Sequence, residues 1–204
     1  KIFMCRYVQF LRVFISLFVF LSSSWANTEL VVFPLEDRSH PAAHVVKFIK
    51  EAEREIVGSV YKLDFKPIVE ALCEKARAGV SVKIFVEEGP YQHEGSDNAT
   101  TNIVELEKCG ITILKRGEKD GPQRDAKFLI RDGKKGFFTT MNWDEESFLG
   151  TKAWRENQTG GDAPTRDVAM IMDDSARIKE AMLWMGWAET GEKPSGLRET
   201  SFFV

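Results

Sequence analysis

Apolar positions along most of the chain alternate between short unbroken runs and rows spaced three and four apart. Leu30-Val31-Val32-Phe33-Pro34 is an apolar run stopped by proline and reads as a strand. From Pro41 to Arg54, Val45, Phe48, Ile49 and Ala52 recur at helical spacing, and the chain then enters a second strand, Ile56-Val57-Gly58-Ser59-Val60-Tyr61. Pro67 suits a first helical turn, where its missing N–H costs nothing; Ile68, Val69, Ala71, Leu72 and Ala76 follow on one face and Gly79 closes the helix. Val82-Lys83-Ile84-Phe85-Val86 is the next strand. A polar loop from Glu87 to Thr100 leads to a helix carrying Ile103, Val104 and Leu106, which stops at Gly110, and then to a strand from Ile111 to Leu114.

The second half is richer in strands: Lys127 to Ile130, Gly136 to Thr140 and Val168 to Met172, with a last helix from Ser175 to Ala188. The polar, glycine-bearing stretch from Gly150 to Thr165 reads as a long loop. Strands separated by helices imply an α/β fold with a largely parallel or mixed sheet flanked by helices on both faces. With 204 residues, 43% of them hydrophobic, the chain has material for one sizeable core, so a single domain over 27–204 is expected.

The segment before residue 27 is different. Lys1, Arg6 and Arg12 appear without an acid, the mostly apolar run Val13 to Leu21 follows, and Ser24-Trp25-Ala26 has the small-x-small form of a cleavage site. This is the pattern of a secretory signal peptide, 1–26, cut after Ala26. A run of nine residues is well short of the roughly 20 that span a bilayer as a helix, so no stable membrane span is expected once it is removed, and the mature protein is placed outside the cytoplasm, secreted or periplasmic; the alternative is an uncleaved anchor, since Ile2 to Phe10 is also fairly apolar and only Arg12 interrupts it. Loss of Lys1, Arg6 and Arg12 takes the net charge from −3 to −6, which excludes a broadly basic surface for nucleic acid; any such contact must be local. Cys73 and Cys109 both fall in apolar helical patterns. An oxidising compartment permits a bridge between them, but packed free thiols are the reading preferred here.

Candidate chemistry gathers in Arg124-Asp125-Ala126-Lys127 through Arg131-Asp132-Gly133 and in Thr139-Thr140-Met141-Asn142-Trp143. On a strand, Asp125 and Lys127 project to one face, and Asn142 just past the next strand can join them. An ammonium with amide and hydroxyl groups suits a phosphate: lysine neutralises a non-bridging oxygen while asparagine and threonine donate hydrogen bonds. No metal-ligand cluster or cofactor motif is read in the chain.

Asp125-x-Lys127-x4-Asp132 resembles the H-x-K-x4-D signature of the phospholipase D superfamily, and Thr139-Thr140-x-Asn142 resembles its later glycine, serine and asparagine cluster. Pro67-Ile68-Val69-Glu70-Ala71-Leu72 and Ala78-Gly79-Val80-Ser81-Val82-Lys83-Ile84 support the match, which is closest to short, single-motif members such as secreted endonucleases. The resemblance implies a phospholipase D-like mixed sheet and a homodimer, or pairing with a second such domain, that brings two motifs together. It also implies Lys127, Thr140 and Asn142 as phosphate ligands, Asp132 as a supporting acid, and a phosphodiester partner, phospholipid or nucleic acid.

One departure stands out, because the family's nucleophile and leaving-group acid is a histidine and Asp125 occupies its place. His40, His44 and His93 lie outside the motif's spacing. An acid before the late strand, which orients the family's histidine, aligns here with Arg166, so a histidine–acid pair becomes an aspartate–arginine pair; Glu156 is the other candidate for that acid. Three functions therefore stand side by side: a phosphodiesterase, a non-catalytic phosphodiester-binding or assembly domain, and the degenerate half of a longer two-motif enzyme. Plainer readings exist for single residues. Lys127 suits an edge strand, Asp132 a turn before Gly133, and Trp143, Trp154, Trp184 and Trp187 the packing of a core.

Overall fold

The computed structural model describes residues 26–32, 42–87, 98–116, 126–150, 156 and 166–197. The segment before Ala26 expected to be a signal peptide, the loop residues 88–97 and Trp154 lie outside that set. Seven strands are described: β1 (Thr28–Val32), β2 (Glu55–Val60), β3 (Ser81–Glu87), β4 (Thr112–Arg116), β5 (Phe128–Arg131), β6 (Lys135–Thr139) and β7 (Val168–Met172). The described helices are α1 (Ala42–Lys50), α2 (Lys66–Arg77), α3 (Asn98–Lys108), α4 (Glu145–Leu149) and α5 (Ser175–Thr190). The strands form one mixed sheet in the order β1-β7-β6-β5-β2-β3-β4. Only β2–β3 and β3–β4 are parallel; the other pairs are antiparallel.

Period-two alternation along the strands divides the core in two. Ile56 and Val60 of β2, Leu129 and Phe137 face the side covered by α1, α2 and α3, together with Val45, Ile49, Ile68, Leu72 and Leu106. Val57, Phe128, Ile130 and Phe138 face the other side, where α5 lays Ile178, Ala181, Trp184, Met185 and Ala188 against them. Trp184 stands edge-on to both Phe85 and Phe128, with ring centroids 5.3 and 5.7 Å away, so it packs as expected. Trp143 is also fully buried.

Gly58 sets how closely β2 and β5 approach. A Cβ there would lie 2.5 Å from the carbonyl oxygen of Phe128 and 2.5 Å from a Leu129 methyl, so this strand pair admits only glycine without rearrangement.

Two local features differ from the sequence reading. The helix expected to run to Arg54 ends at Lys50, because the N–H groups of Glu53, Arg54 and Glu55 are taken by a distant carboxylate, that of Asp132. Cys73 and Cys109 are not packed thiols: they form a disulfide, with Cα atoms 5.3 Å apart, joining α2 to the end of α3. Helical periodicity shows only that each cysteine faces inward, not that two inward faces meet.

The bridge closes a loop of sequence separation 36, which in the chain-entropy picture stabilises the fold by about 3–4 kcal/mol. Cys73→Ser is expected to lower the urea midpoint by that stability, and reduction of the natural protein to reproduce the loss; equal midpoints with and without reductant would contradict the bridge.

Candidate functional site

The C-terminal ends of β2, β3 and β4 and the N-terminal end of β5 lie along one rim of the sheet, as do the C-terminal end of β6 and the start of β7. Lys127 stands on this rim, immediately before β5, and its carbonyl accepts a hydrogen bond from the N–H of Thr139 at 3.0 Å. β5 has β2 on one side and β6 on the other, so Lys127 is not an edge-strand lysine. It is half-buried and shares the face of Leu129 by alternation.

Asn142 reaches the same rim from the loop after β6. Its Oδ1 is buried and has no hydrogen-bond partner among the described residues, as is true of Ser59 Oγ and Trp143 Nε1. Buried polar atoms are almost always paired, so the Asn142 Oδ1 is open to a water or an outside group. A half-turn of the amide exchanges Oδ1 for the isosteric NH2, so the position can accept or donate.

Thr140 has a different task from the one expected. Its hydroxyl donates to Asp167 Oδ1 at 2.6 Å and accepts from the N–H of Val168 at 3.1 Å, while its own N–H donates to the Val168 carbonyl at 3.1 Å. A hydroxyl has one proton, and here it goes to Asp167, so Thr140 fastens β6 to β7 instead of donating to a phosphate. Asp167 is the acid before the late strand; the residue singled out by sequence, Arg166, is exposed, with no side-chain contact among the described residues. Glu156 is exposed as well. Asp125 lies outside the described residues.

The loop behind Asn142 is pinned to the end of β2. The N–H of Trp143 donates to the Lys62 carbonyl, and its own carbonyl accepts from the N–H groups of Asp64 and Phe65, each at 3.0 Å. Asp64 in turn accepts from the N–H of Glu145 at 2.8 Å, and Asp144 caps α4 by accepting from the N–H of Ser147 at 2.7 Å. Burial, resisted by the Glu145 N–H bond and reinforced by the charge of Asp144, pushes the Asp64 carboxyl up to about 6. The sequence carried a signal for this cap, Asp144 ahead of Glu145-Glu146-Ser147, that the reading above did not use.

Asp132, expected as a supporting acid, sits at the opposite end of β5, roughly 15 Å of extended chain from Lys127. It opens the β5–β6 turn with a φ of 55°, a conformation aspartate tolerates better than most residues. Its carboxylate accepts from the N–H groups of Glu53, Arg54 and Glu55 at 3.2, 2.7 and 3.2 Å, and its own N–H donates to the Glu55 carbonyl at 2.9 Å. Asp132 is thus a clasp between the hairpin turn and the start of β2, the plainer of its two sequence readings. His44 also lies away from the rim: it lines a groove with Arg131 and Lys135, beside the same turn.

The comparisons with known proteins agree with this geometry. Residues 45–158, more than half of the chain, match the family described as cardiolipin synthase, PLD-like domain. The chain belongs to the phospholipase D-like family. Its fold is similar to NucT from Helicobacter pylori, at 20% identity over 79% of this chain and 94% of that one, with a TM-score of 0.59. It is also similar to Nuc from Salmonella typhimurium, a phospholipase D family member, at 17% identity over 85% of this chain and 100% of that one, with a TM-score of 0.60. A phosphatidylserine synthase from Haemophilus influenzae is 12% identical over 82% of this chain and 39% of that one, with a TM-score of 0.52. At such identities the likeness is one of fold. No curated protein sequence matches the chain. Among the described residues, no helix is long and apolar enough to cross a membrane.

Partial burial works to raise the pKa of Asp132, but the N–H bonds from Arg54, Glu55 and Glu53 outweigh it and hold the carboxyl below its usual value of 3.8. The clasp's contribution is therefore full above that value and is lost as pH falls through the lower folded-state pKa. Asp132→Asn is expected to cost about 1–2 kcal/mol at pH 7, the turn being partly solvated, with the gap to the natural protein narrowing as the pH falls through the lowered pKa. Urea midpoints at pH 7 and in acid check this; no gap at pH 7, or one of the same size in acid, would contradict the clasp.

Proposed function

We propose that this phospholipase D-like domain binds phosphodiesters at the rim, with Lys127 and Asn142 holding the phosphate, and that the carboxylate at position 125 keeps it from turning them over at a rate typical of the family. The supporting observation is the buried, unpartnered Oδ1 of Asn142 on the rim that carries Lys127. Lysine supplies the counter-charge and the amide a directional hydrogen bond. Thr140 and Asp167 hold the loop that presents Asn142, and Arg166 provides a cation against the charge of Asp125.

A carboxylate in the histidine's place repels an anionic diester and, once ionised, has no proton for the leaving oxygen. The protein is exported through residues 1–26, and a two-fold pair of chains brings two rims together, as the single motif requires. A second reading, an active hydrolase, draws on Asp64. With a carboxyl pushed up to about 6, that residue is partly protonated near neutrality on the same rim.

Hydrolysis of a bis-aryl phosphodiester by the purified protein separates the two. The proposal expects no detectable turnover in the natural protein and a gain with Asp125→His that a further Lys127→Ala removes. Turnover in the natural protein that Lys127→Ala abolishes would show that the site works with its aspartate and would favour the hydrolase.

A further inference from the structure

A groove of about 250 Å³ opens between α1 and the β1-β7-β6-β5 side of the sheet. Its lining includes Arg131 and Lys135, which face each other at the turn end of the β5–β6 hairpin, whereas Lys127 stands at the rim end. Lys47 and His44 line it from α1, and Glu29 and Glu51 are its acids. Arg131 is fully engaged: it pairs with Glu51, donates to the Phe48 carbonyl at 3.2 Å, and stacks 4.7 Å above the Phe48 ring.

The two lysines are in a different state. Neither Lys47 nor Lys135 has an ion pair or a side-chain hydrogen bond among the described residues, yet both stand close enough to Glu51 to help lower its pKa, after the dominant hydrogen bond from Arg131. One carboxylate thus faces three cations, and its Oε2 is already bound by the guanidinium. Counting Glu29, the lining holds one more positive than negative charge. That excess is local to a chain whose net charge is −3. Cations that outnumber the carboxylates facing them repel one another, and a compact anion relieves that repulsion.

We propose that this groove is a second anion site, separate from the rim, that takes a phosphate monoester group. A monoester is nearly dianionic at neutral pH and offers three terminal oxygens, enough for the two ammonium groups together. Ala43, Phe48 and Ile171 form an apolar wall beside them, against which the carrying group of an organic monoester rests. Glu29, on the edge strand, opposes the anion and sets an upper limit on affinity.

Calorimetric titration of the full chain at low ionic strength with inorganic phosphate and with glycerol phosphate tests this. In a Lys127→Ala background, which removes the rim lysine, Lys47→Ala combined with Lys135→Ala is expected to weaken groove binding about tenfold or more, and Glu29→Gln, which relieves a repulsion, to tighten it several-fold. The last variant keeps the test decisive if the double variant folds poorly. Tighter binding of glycerol phosphate than of inorganic phosphate would identify an organic monoester as the ligand, and equal binding the free ion. The proposal is overturned if neither probe binds the natural protein, or if binding disappears with Lys127→Ala and ignores Glu29→Gln and the lysine pair.

Discussion

The carboxylate of Asp132 carries a structural burden that its place in a catalytic-looking signature conceals. By accepting three backbone N–H groups at the start of β2, it ends α1 at Lys50, closes the β5–β6 turn and fixes the register of β5 against β2. In a sheet, a slip of one residue turns every side chain to the opposite face. Register fixed at one end of a four-residue strand is therefore register fixed at the other, where Lys127 emerges on the rim. Within the signature, the lysine and the final aspartate stand at opposite ends of the strand: one on the rim, the other holding the strand's register.

The remainder of the architecture supports this rim. Gly58 allows β5 to approach β2 closely, the Cys73–Cys109 bridge ties α2 to α3 above the parallel strands, and the aromatic cluster around Trp184 fills the opposite face. Thr140 and Asp167 close β6 onto β7, and the backbone bonds of Trp143 fasten the following loop to the end of β2. Asn142 is held between these two fastenings. A buried acceptor left unpaired in so constrained a loop loses hydration without compensation, a cost that protein sites sustain where a ligand repays it.

Most of the layer plan was legible in the chain, because periodicity and turn residues report local geometry: Pro67 and Gly79 lie within two residues of the ends of α2, and the strand cores fall where the apolar runs lie. What escaped depends on contacts remote in sequence. The early end of α1 is set by a carboxylate nearly 80 residues away, the disulfide by two helices meeting, and the role of Thr140 by Asp167, 27 residues on. The spacing of the signature identified the family and placed Lys127 and Asn142 on one rim. Of the two readings of Asp132, supporting acid and turn former, its hydrogen bonds to Glu53, Arg54 and Glu55 fit the turn, because spacing records that a residue recurs and not which neighbour it holds. The short helix α4 was missed for a different reason, since its cap, Asp144, was present in the sequence and simply went unread.

An aspartate in place of the family's histidine puts a negative charge where an anionic diester would approach. Binding needs a cation and directional donors, the roles proposed for Lys127 and Asn142; turnover also needs a nucleophile that tolerates an approaching anion and an acid with a proton to give. The central claim is that the rim of the sheet is an oxyanion site. Its most direct test is a crystal structure of the protein soaked with vanadate or tungstate. The account predicts the oxyanion within about 2.7–3.2 Å of both Lys127 Nζ and the Asn142 amide. An empty rim at saturating oxyanion, with these side chains turned away from one another, would contradict it.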